Sequence, residues 1–189
     1  CCHFGPSMTK QRVFKKELQS RQAREKMSTN LYIMATEERS GKTTVVLGVM
    51  QMLLKLIDRV AFFRPVIHTT APGWEDPVIN LVLEHYDLDI PYEETYGCTL
   101  EEALDYINGG KESLLHETIL NRYNRLKSNY DFVLCDGSDF RGKDVVFESS
   151  INADIAANLG ASVLLTASGR KKDLDELVDL TQLSIDALE

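Results

Sequence analysis

The sequence predicts an α/β fold with a mostly parallel sheet, and three observations carry that prediction. From Leu31 onward, short apolar runs of strand length alternate with longer helical periods, the order expected of βαβ units. The first strand and first helix are joined by a loop ending Gly41-Lys42-Thr43, a strand-to-helix junction typical of α/β domains. At 189 residues and 43% apolar content, the chain is long enough for one full-sized domain with its own core.

The elements follow in order. Leu31–Ala35 reads as a buried strand, and Thr43–Ile57 (TTVVLGVMQMLLKLI) as a helix apolar enough to lie against a sheet. Val60–Phe63 reads as a second strand, ended by Arg64-Pro65, because proline restricts its predecessor and cannot donate to a ladder. After a loop holding Thr69, Thr70, Pro72 and Gly73, Pro77–His85 has a helical period, with Asp76 placed to cap its first turn. Residues 86 to 98 read as irregular. Thr99-Leu-Glu-Glu102 fits a capping box opening a short helix that ends at Gly109-Gly110.

A further helix is expected from Lys111 to about Lys127, then a strand at Phe132–Cys135. Asp144–Ser150 (DVVFESS) reads equally as a strand or as extended cover. Gly160 suits a helix C′ position before a strand at Ser162–Thr166. The last helical run, Leu174–Leu188, meets no stop signal, so the domain is expected to occupy residues 27–189 and to be truncated at its C-terminus.

Charge and composition narrow the function. Net charge is −8, yet residues 1 to 30 carry seven Lys/Arg against two Asp/Glu. The basic residues Lys10, Arg12, Lys15, Lys16, Arg21, Arg24 and Lys26 fall in a stretch expected to be a leader or an upstream mis-start, with the native domain starting near Met27. An acidic body argues against a nucleic-acid groove, which must neutralise phosphates. No stretch approaches the ~18 consecutive apolar residues of a membrane span and no secretory layout opens the chain, so no membrane partner is expected and the cytoplasm is the expected location. Cys1, Cys2, Cys98 and Cys135 show no Cys-x-x-Cys spacing and read as reduced thiols. Cys135, ending an apolar strand, reads as core packing rather than a nucleophile. His68, His85 and His116 lack companions at zinc-ligand spacing. Trp74 and Tyr92 read as pocket lining or as loop anchors.

The strongest local signal is Ala35-Thr-Glu-Glu-Arg-Ser-Gly41-Lys42-Thr43-Thr44. A loop between a strand and a helix can wrap phosphate oxygens with backbone N–H groups, while the helix N-terminus adds partial positive charge. Gly41 would admit a close backbone approach, Lys42 would meet the outer phosphates, and the Thr43 hydroxyl would ligand Mg²⁺. Phe132-Val-Leu-Cys-Asp136-Gly137 is an apolar strand ending in a carboxylate, the arrangement by which such proteins hold Mg²⁺. The candidate ligand-binding residues are therefore Glu38, Ser40, Gly41, Lys42, Thr43 and Thr44; Thr43 and Asp136 are candidate metal ligands. The expected cofactor is ATP or another nucleotide with Mg²⁺. The first glycine of G-x-x-x-x-G-K-[ST] falls on Thr36, so a crowded loop serving only as scaffold is an alternative reading. Together these signals refine the fold class to a three-layer α/β/α, P-loop NTPase-like fold.

The loop Ala35–Thr43 resembles that of the dethiobiotin synthetases, Gly-Thr-x-x-x-x-Gly-Lys-Thr, with Ala35-Thr36 in the Gly-Thr place. Phe62-Phe63-Arg64-Pro65-Val66 is similar to that family's Lys-Pro-Val segment, Cys135-Asp136-Gly137 to its Glu-Gly, and Asp76 to an Asp that helps bind metal there. That likeness adds Asp76 to the candidate metal ligands. Arg64 stands where the synthetases have a lysine that works on the substrate carbamate, and Ser138-Asp139-Phe140 replaces a glycine-rich tail; both speak against synthetase chemistry. An ATP-dependent ligase of the dethiobiotin or cobyrinate-amidating kind is nevertheless the runner-up. A partitioning-type switch ATPase ranks last, for lack of a second loop lysine.

The chain resembles most the N-terminal domain of long-form phosphate acetyltransferases. The likeness rests on Glu38-Arg39-Ser40-Gly41-Lys42-Thr43, Gly137-Ser138-Asp139-Phe140 and Asn152-Ala-Asp-Ile-Ala156-Ala-Asn158-Leu159-Gly160, and extends over residues 30 to 170. The resemblance implies a regulatory domain that senses a nucleotide or small metabolite and supports homo-oligomer assembly. It further implies that acetyl transfer between coenzyme A and phosphate is carried by other parts of the parent polypeptide, with no catalytic residue in this domain.

Overall fold

The computed structural model describes residues 29–37, 39–68, 73–138 and 145–188. The expected leader, Met27, Glu38, the Thr69–Pro72 loop and Asp139-Phe140 lie outside the described residues. The elements are β1 (Asn30–Ala35), α1 (Lys42–Leu56), β2 (Val60–Ile67), α2 (Pro77–His85), a single 3₁₀ turn at Tyr92–Glu94, β3 (Tyr96–Thr99), α3 (Leu100–Asn108), α4 (Glu112–Lys127), β4 (Phe132–Asp136), α5 (Val145–Asn158), β5 (Ser162–Thr166) and α6 (Leu174–Asp186). All five strands are parallel, in the order β3-β2-β4-β1-β5.

The sheet separates two apolar layers, which makes the three-layer α/β/α fold. On one face Tyr32, Met34, Phe63, Val133 and Cys135 pack against Ala103 of α3, Leu115, Ile119 and Tyr123 of α4, and Ile155 and Ala156 of α5. On the other, Ile33, Phe62 and Leu134 pack against Val46 and Met50 of α1 and Ile79 and Val82 of α2. Successive strand residues point to opposite faces, so Phe62 and Phe63 anchor different layers. Each fully buried Phe contributes about 1.5–3 kcal/mol of hydrophobic stabilisation.

The helix boundaries follow local chemistry. Asp76 caps α2 by accepting from the N–H groups of Val78 and Ile79, with Pro77 at the first helical position. Thr99 and Glu102 form the reciprocal capping box of α3. Gly160, with φ +59°, follows α5 where a left-handed residue is needed.

Three expectations are corrected. Strand β2 does not end at Arg64-Pro65 but continues to Ile67. The Arg64 N–H donates to the Thr95 carbonyl at 2.7 Å, and the Ser138 hydroxyl serves both polar groups of Val66, accepting from its N–H at 3.0 Å and donating to its carbonyl at 2.9 Å. Past the proline β2 thus pairs with β3 on one side, and the Ser138 side chain takes over from β4 on the other. Residues 86 to 98 are not wholly irregular: Tyr96–Thr99 forms the edge strand β3. Gly97 permits its close pairing with β2, since a Cβ there would sit 2.4 Å from the Pro65 carbonyl oxygen. The stretch read as strand or extended cover is helical from Val145, the start of α5. Its β-branched residues favour strands only weakly, and packing on the sheet overrides them.

Candidate functional site

Parallel topology brings the carboxyl ends of β1, β2 and β4 to one edge of the sheet. Helix α1, which follows β1, covers one face, while α5, which follows β4, covers the other. The crevice where ligands bind in open α/β sheets lies at such a divergence, outside the strand ends. Here it falls between β1 and β4, where Ile33 is level with Asp136.

The loop after β1 enters α1 through Gly41, whose φ of 86° and ψ of 13° place it in the left-handed region. Glycine takes that conformation without a Cβ penalty, and followed by the helical Lys42 it forms the alternating-handed backbone that concentrates N–H groups. No side chain caps α1. Arg39 also has positive φ, 59°, a conformation uncommon for a residue with a Cβ. An open pocket of about 230 Å³ over the loop is lined by Glu37, Arg39, Ser40, Gly41, Lys42 and Thr43. Ser40 Oγ is buried there without a hydrogen-bond partner, as is Thr36 Oγ1 at the start of the loop. A buried hydroxyl left unpaired carries a desolvation cost. Glu37 is tied to Lys172, beyond β5, by an ion pair.

Below the pocket lies a buried chain of four charges. The Lys42 ammonium pairs with Asp136 Oδ1 at 3.0 Å and donates to the Gly137 carbonyl. Arg64 Nε faces Asp136 Oδ2 at 3.0 Å, and Arg64 Nη1 donates to Asp76 Oδ2 at 2.6 Å. Relative exposures are 6% for Lys42, 4% for Arg64, 2% for Asp76 and 1% for Asp136. Register explains the arrangement: Phe63 pairs with Cys135, so the next residues, Arg64 and Asp136, lie side by side on the face covered by α1 and α2. Asp76, capping α2, and Lys42, opening α1, close the chain from above that face.

The loop after β4 is held by Asn152 of α5. Its Oδ1 accepts from the Tyr32 hydroxyl at 2.7 Å and the Ser138 N–H at 2.9 Å, and its Nδ2 donates to the Ser138 and Glu148 carbonyls, both at 2.9 Å. Gly137 fits beneath it because a Cβ would lie 2.8 Å from the Tyr32 ring and 2.9 Å from Asn152 Oδ1.

Among the residues expected at the site, the structure gathers Ser40, Gly41, Lys42 and Thr43 around one pocket, and joins Lys42, Asp136 and Asp76 through Arg64. Thr44 is exposed on the first turn of α1, outside the pocket lining, its N–H bonded to the Gly41 carbonyl at 2.9 Å. Glu38 lies outside the described residues. Asp76 and Asp136 do not form a vacant carboxylate pair for Mg²⁺: a guanidinium stands between them. Residue reading alone missed Arg64, Ser138 and Asn152 as parts of the site. The signal for Arg64 was a charged residue inside an otherwise apolar strand, where burial requires a partner.

The described thiols lie in the core layer on the opposite face of the sheet from these charges. Cys98 and Cys135 are free and buried. Burial pushes the Cys98 thiol from 9.0 up to about 12, with the Glu102 charge adding to it; burial and the Asp136 charge raise Cys135 as well. Each stays neutral in the folded state well above the pH at which an unfolded thiol ionises. Their stabilising contribution is therefore complete below pH 9 and is lost as pH rises toward 12, at about 1.4 kcal/mol per pH unit for each thiol. Urea midpoints measured across this alkaline range check the loss, and Cys98→Val should flatten the slope by one thiol's share.

Comparison with known proteins identifies the family of the chain. A family model described as an AAA domain matches residues 29–189. A phosphate acetyltransferase of Nitratidesulfovibrio vulgaris is 52% identical over 163 residues, covering 86% of this chain and 23% of the relative. One from Synechocystis is 39% identical over 139 residues, covering 74% of this chain and 20% of the relative. The chain thus spans less than a quarter of the length of these relatives. Among solved structures, an apo GTPase from Pyrococcus abyssi covers 85% of this chain, with 78% of its own length matched, at 12% identity and a TM-score of 0.36, too loose a likeness to argue from. No helix among the described residues is long and apolar enough to cross a membrane. The matched span and the sequence relatives place the chain in the AAA domain family, as the P-loop domain it shares with phosphate acetyltransferases.

Proposed function

We propose that this chain is the N-terminal, ligand-sensing domain of a long-form phosphate acetyltransferase. It binds the phosphate end of ATP, another nucleotide or a phosphorylated metabolite at the loop. Acetyl transfer from acetyl-CoA to phosphate belongs to a domain of the parent polypeptide outside this chain, and the homo-oligomer expected of the parent would bring several such sensing domains together. The observation that carries the reading is the loop itself: an uncapped helix N-terminus, a left-handed Gly41 and an unclaimed Ser40 hydroxyl around one pocket. Such a concavity favours an oxyanion through backbone donors and the helix dipole. At about 230 Å³ the pocket is smaller than the ~300–1,000 Å³ of sites that enclose a drug-sized ligand, which suits a phosphate group with the rest of the ligand outside.

Synthetase chemistry is disfavoured by Arg64, which occupies the position of a substrate-facing lysine but is buried and paired to two carboxylates. Calorimetric titration of Mg·ATP into the chain and into a Lys42→Ala variant tests the phosphate site. Binding is expected in the parent chain and at least tenfold weakening in the variant, on the order of 1.4 kcal/mol. Identical heats from the two proteins would leave the loop as scaffold.

A further inference from the structure

We infer that Arg64 takes the place of the divalent cation in this site, so that phosphorylated ligands bind at the loop without a metal ion. The inference rests on the reading of the loop as a phosphate site and goes beyond it. A hard cation such as Mg²⁺ needs oxygen ligands at about 2.0–2.1 Å in near-octahedral geometry. The candidate donors Thr43, Asp76 and Asp136 do not fit that need, because each carboxylate oxygen already faces a cation or a helix-cap N–H, Asp136 Oδ1 through its ion pair with Lys42 rather than through a hydrogen bond.

Asp76 Oδ1 accepts from the backbone N–H groups of Val78 and Ile79 at 2.9 and 3.3 Å, and its Oδ2 accepts from Arg64 Nη1. Asp136 Oδ1 faces Lys42, and its Oδ2 faces Arg64 Nε. Two carboxylates and two cations sum to zero, so there is no surplus negative charge to attract a divalent ion. Arginine cannot vacate the position by losing a proton, since its guanidinium remains charged under all ordinary conditions. Pulling it from a buried pairing would strand Asp76 in a region of low polarity and leave Asp136 with Lys42 alone.

The same arrangement leaves room for an anion. The pocket is lined by Ser40, Gly41 and Thr43 as well as Lys42, so an anion can be met by backbone donors of the loop while Lys42 and Arg64 keep their carboxylate partners. The charge of the two acidic groups that would otherwise hold a metal is balanced by a side chain of this protein.

Two measurements on the 189-residue chain test the inference. ATP is titrated calorimetrically in buffer with EDTA and in buffer with MgCl₂. Affinities agreeing within about threefold support metal-independent binding, whereas a loss of about tenfold or more in EDTA overturns it while leaving the phosphate site intact. Absence of binding in both buffers overturns the phosphate site and this inference together. Mn²⁺ is then titrated alone, followed by electron paramagnetic resonance. The parent chain is expected to hold no Mn²⁺ at Asp76 and Asp136, and a tight site abolished by Asp136→Asn would overturn the inference. In Arg64→Ala, Mn²⁺ is expected to gain a site and raise the thermal midpoint, and a folded Arg64→Ala protein that gains none counts against it. Should that variant fail to fold, the two measurements on the parent chain decide.

Discussion

Replacing Arg64 with leucine is expected to lower the unfolding free energy by about 3–5 kcal/mol, the usual cost of breaking a buried ion pair from one side. Arg64 and its partners are nearly inaccessible, and it is the sole side chain in the described chain of charges that touches both Asp76 and Asp136. Leucine would leave Lys42 alone to balance two carboxylates, only one of which it contacts. The loss is larger than the worth of the interaction itself, because most of it is the penalty of an uncompensated buried charge. Urea denaturation monitored by circular dichroism reads the change in midpoint. The surface pair Arg59–Asp131, with side chains 62% and 38% exposed, is the internal control: Arg59→Leu should change little, as solvent-screened pairs do. A comparably small effect at Arg64 would mean that water reaches the cluster.

Asn152→Leu is expected to cost about 4 kcal/mol, from four hydrogen bonds lost at one buried site. Leucine keeps the branched shape and heavy-atom count of asparagine, so the loss is chiefly of polarity, with some overpacking from its bulkier methyl groups. The Ser138 N–H and carbonyl would lose the amide that holds them, and the Tyr32 hydroxyl its bond to Oδ1. Ser138 in turn holds Val66 of β2, so the damage should spread to β2 and to the loop that follows Asp136. Thermal and urea unfolding measure the cost. A cycle with Tyr32→Phe should show less-than-additive losses, since both changes remove the same bond; strict additivity would show that the two side chains act independently.

Much of the architecture was legible in the residues because the physics involved is local. The capping box at Thr99 and Glu102 and the cap at Asp76 in front of Pro77 needed only neighbours within one turn. The same holds for the left-handed Gly160. Strands β1, β4 and β5 announced themselves as apolar runs, and the loop before α1 by its Gly41-Lys42-Thr43. Strand β3 was hidden because Tyr-Gly-Cys-Thr has no β-branched run and includes a glycine; it is a strand because β2 lies beside it. Pro65 misled for the reverse reason: its local rule is sound, but past it β3 pairs with Val66 and Ile67, and the Ser138 hydroxyl serves Val66 on the β4 side.

The residues by themselves determined the fold class, most of the element order and the Gly41-Lys42-Thr43 loop between β1 and α1, since periodicity, capping and turn chemistry act over a few positions. Tertiary structure decided what sits beneath that loop. Arg64, Asp76 and Asp136 are distant in the chain, and only the parallel register of β2 with β4, with α2 folded over them, sets a guanidinium between two carboxylates. Charges buried together settle their pairing by geometry in a poorly screened medium, and that geometry exists only once the sheet has formed.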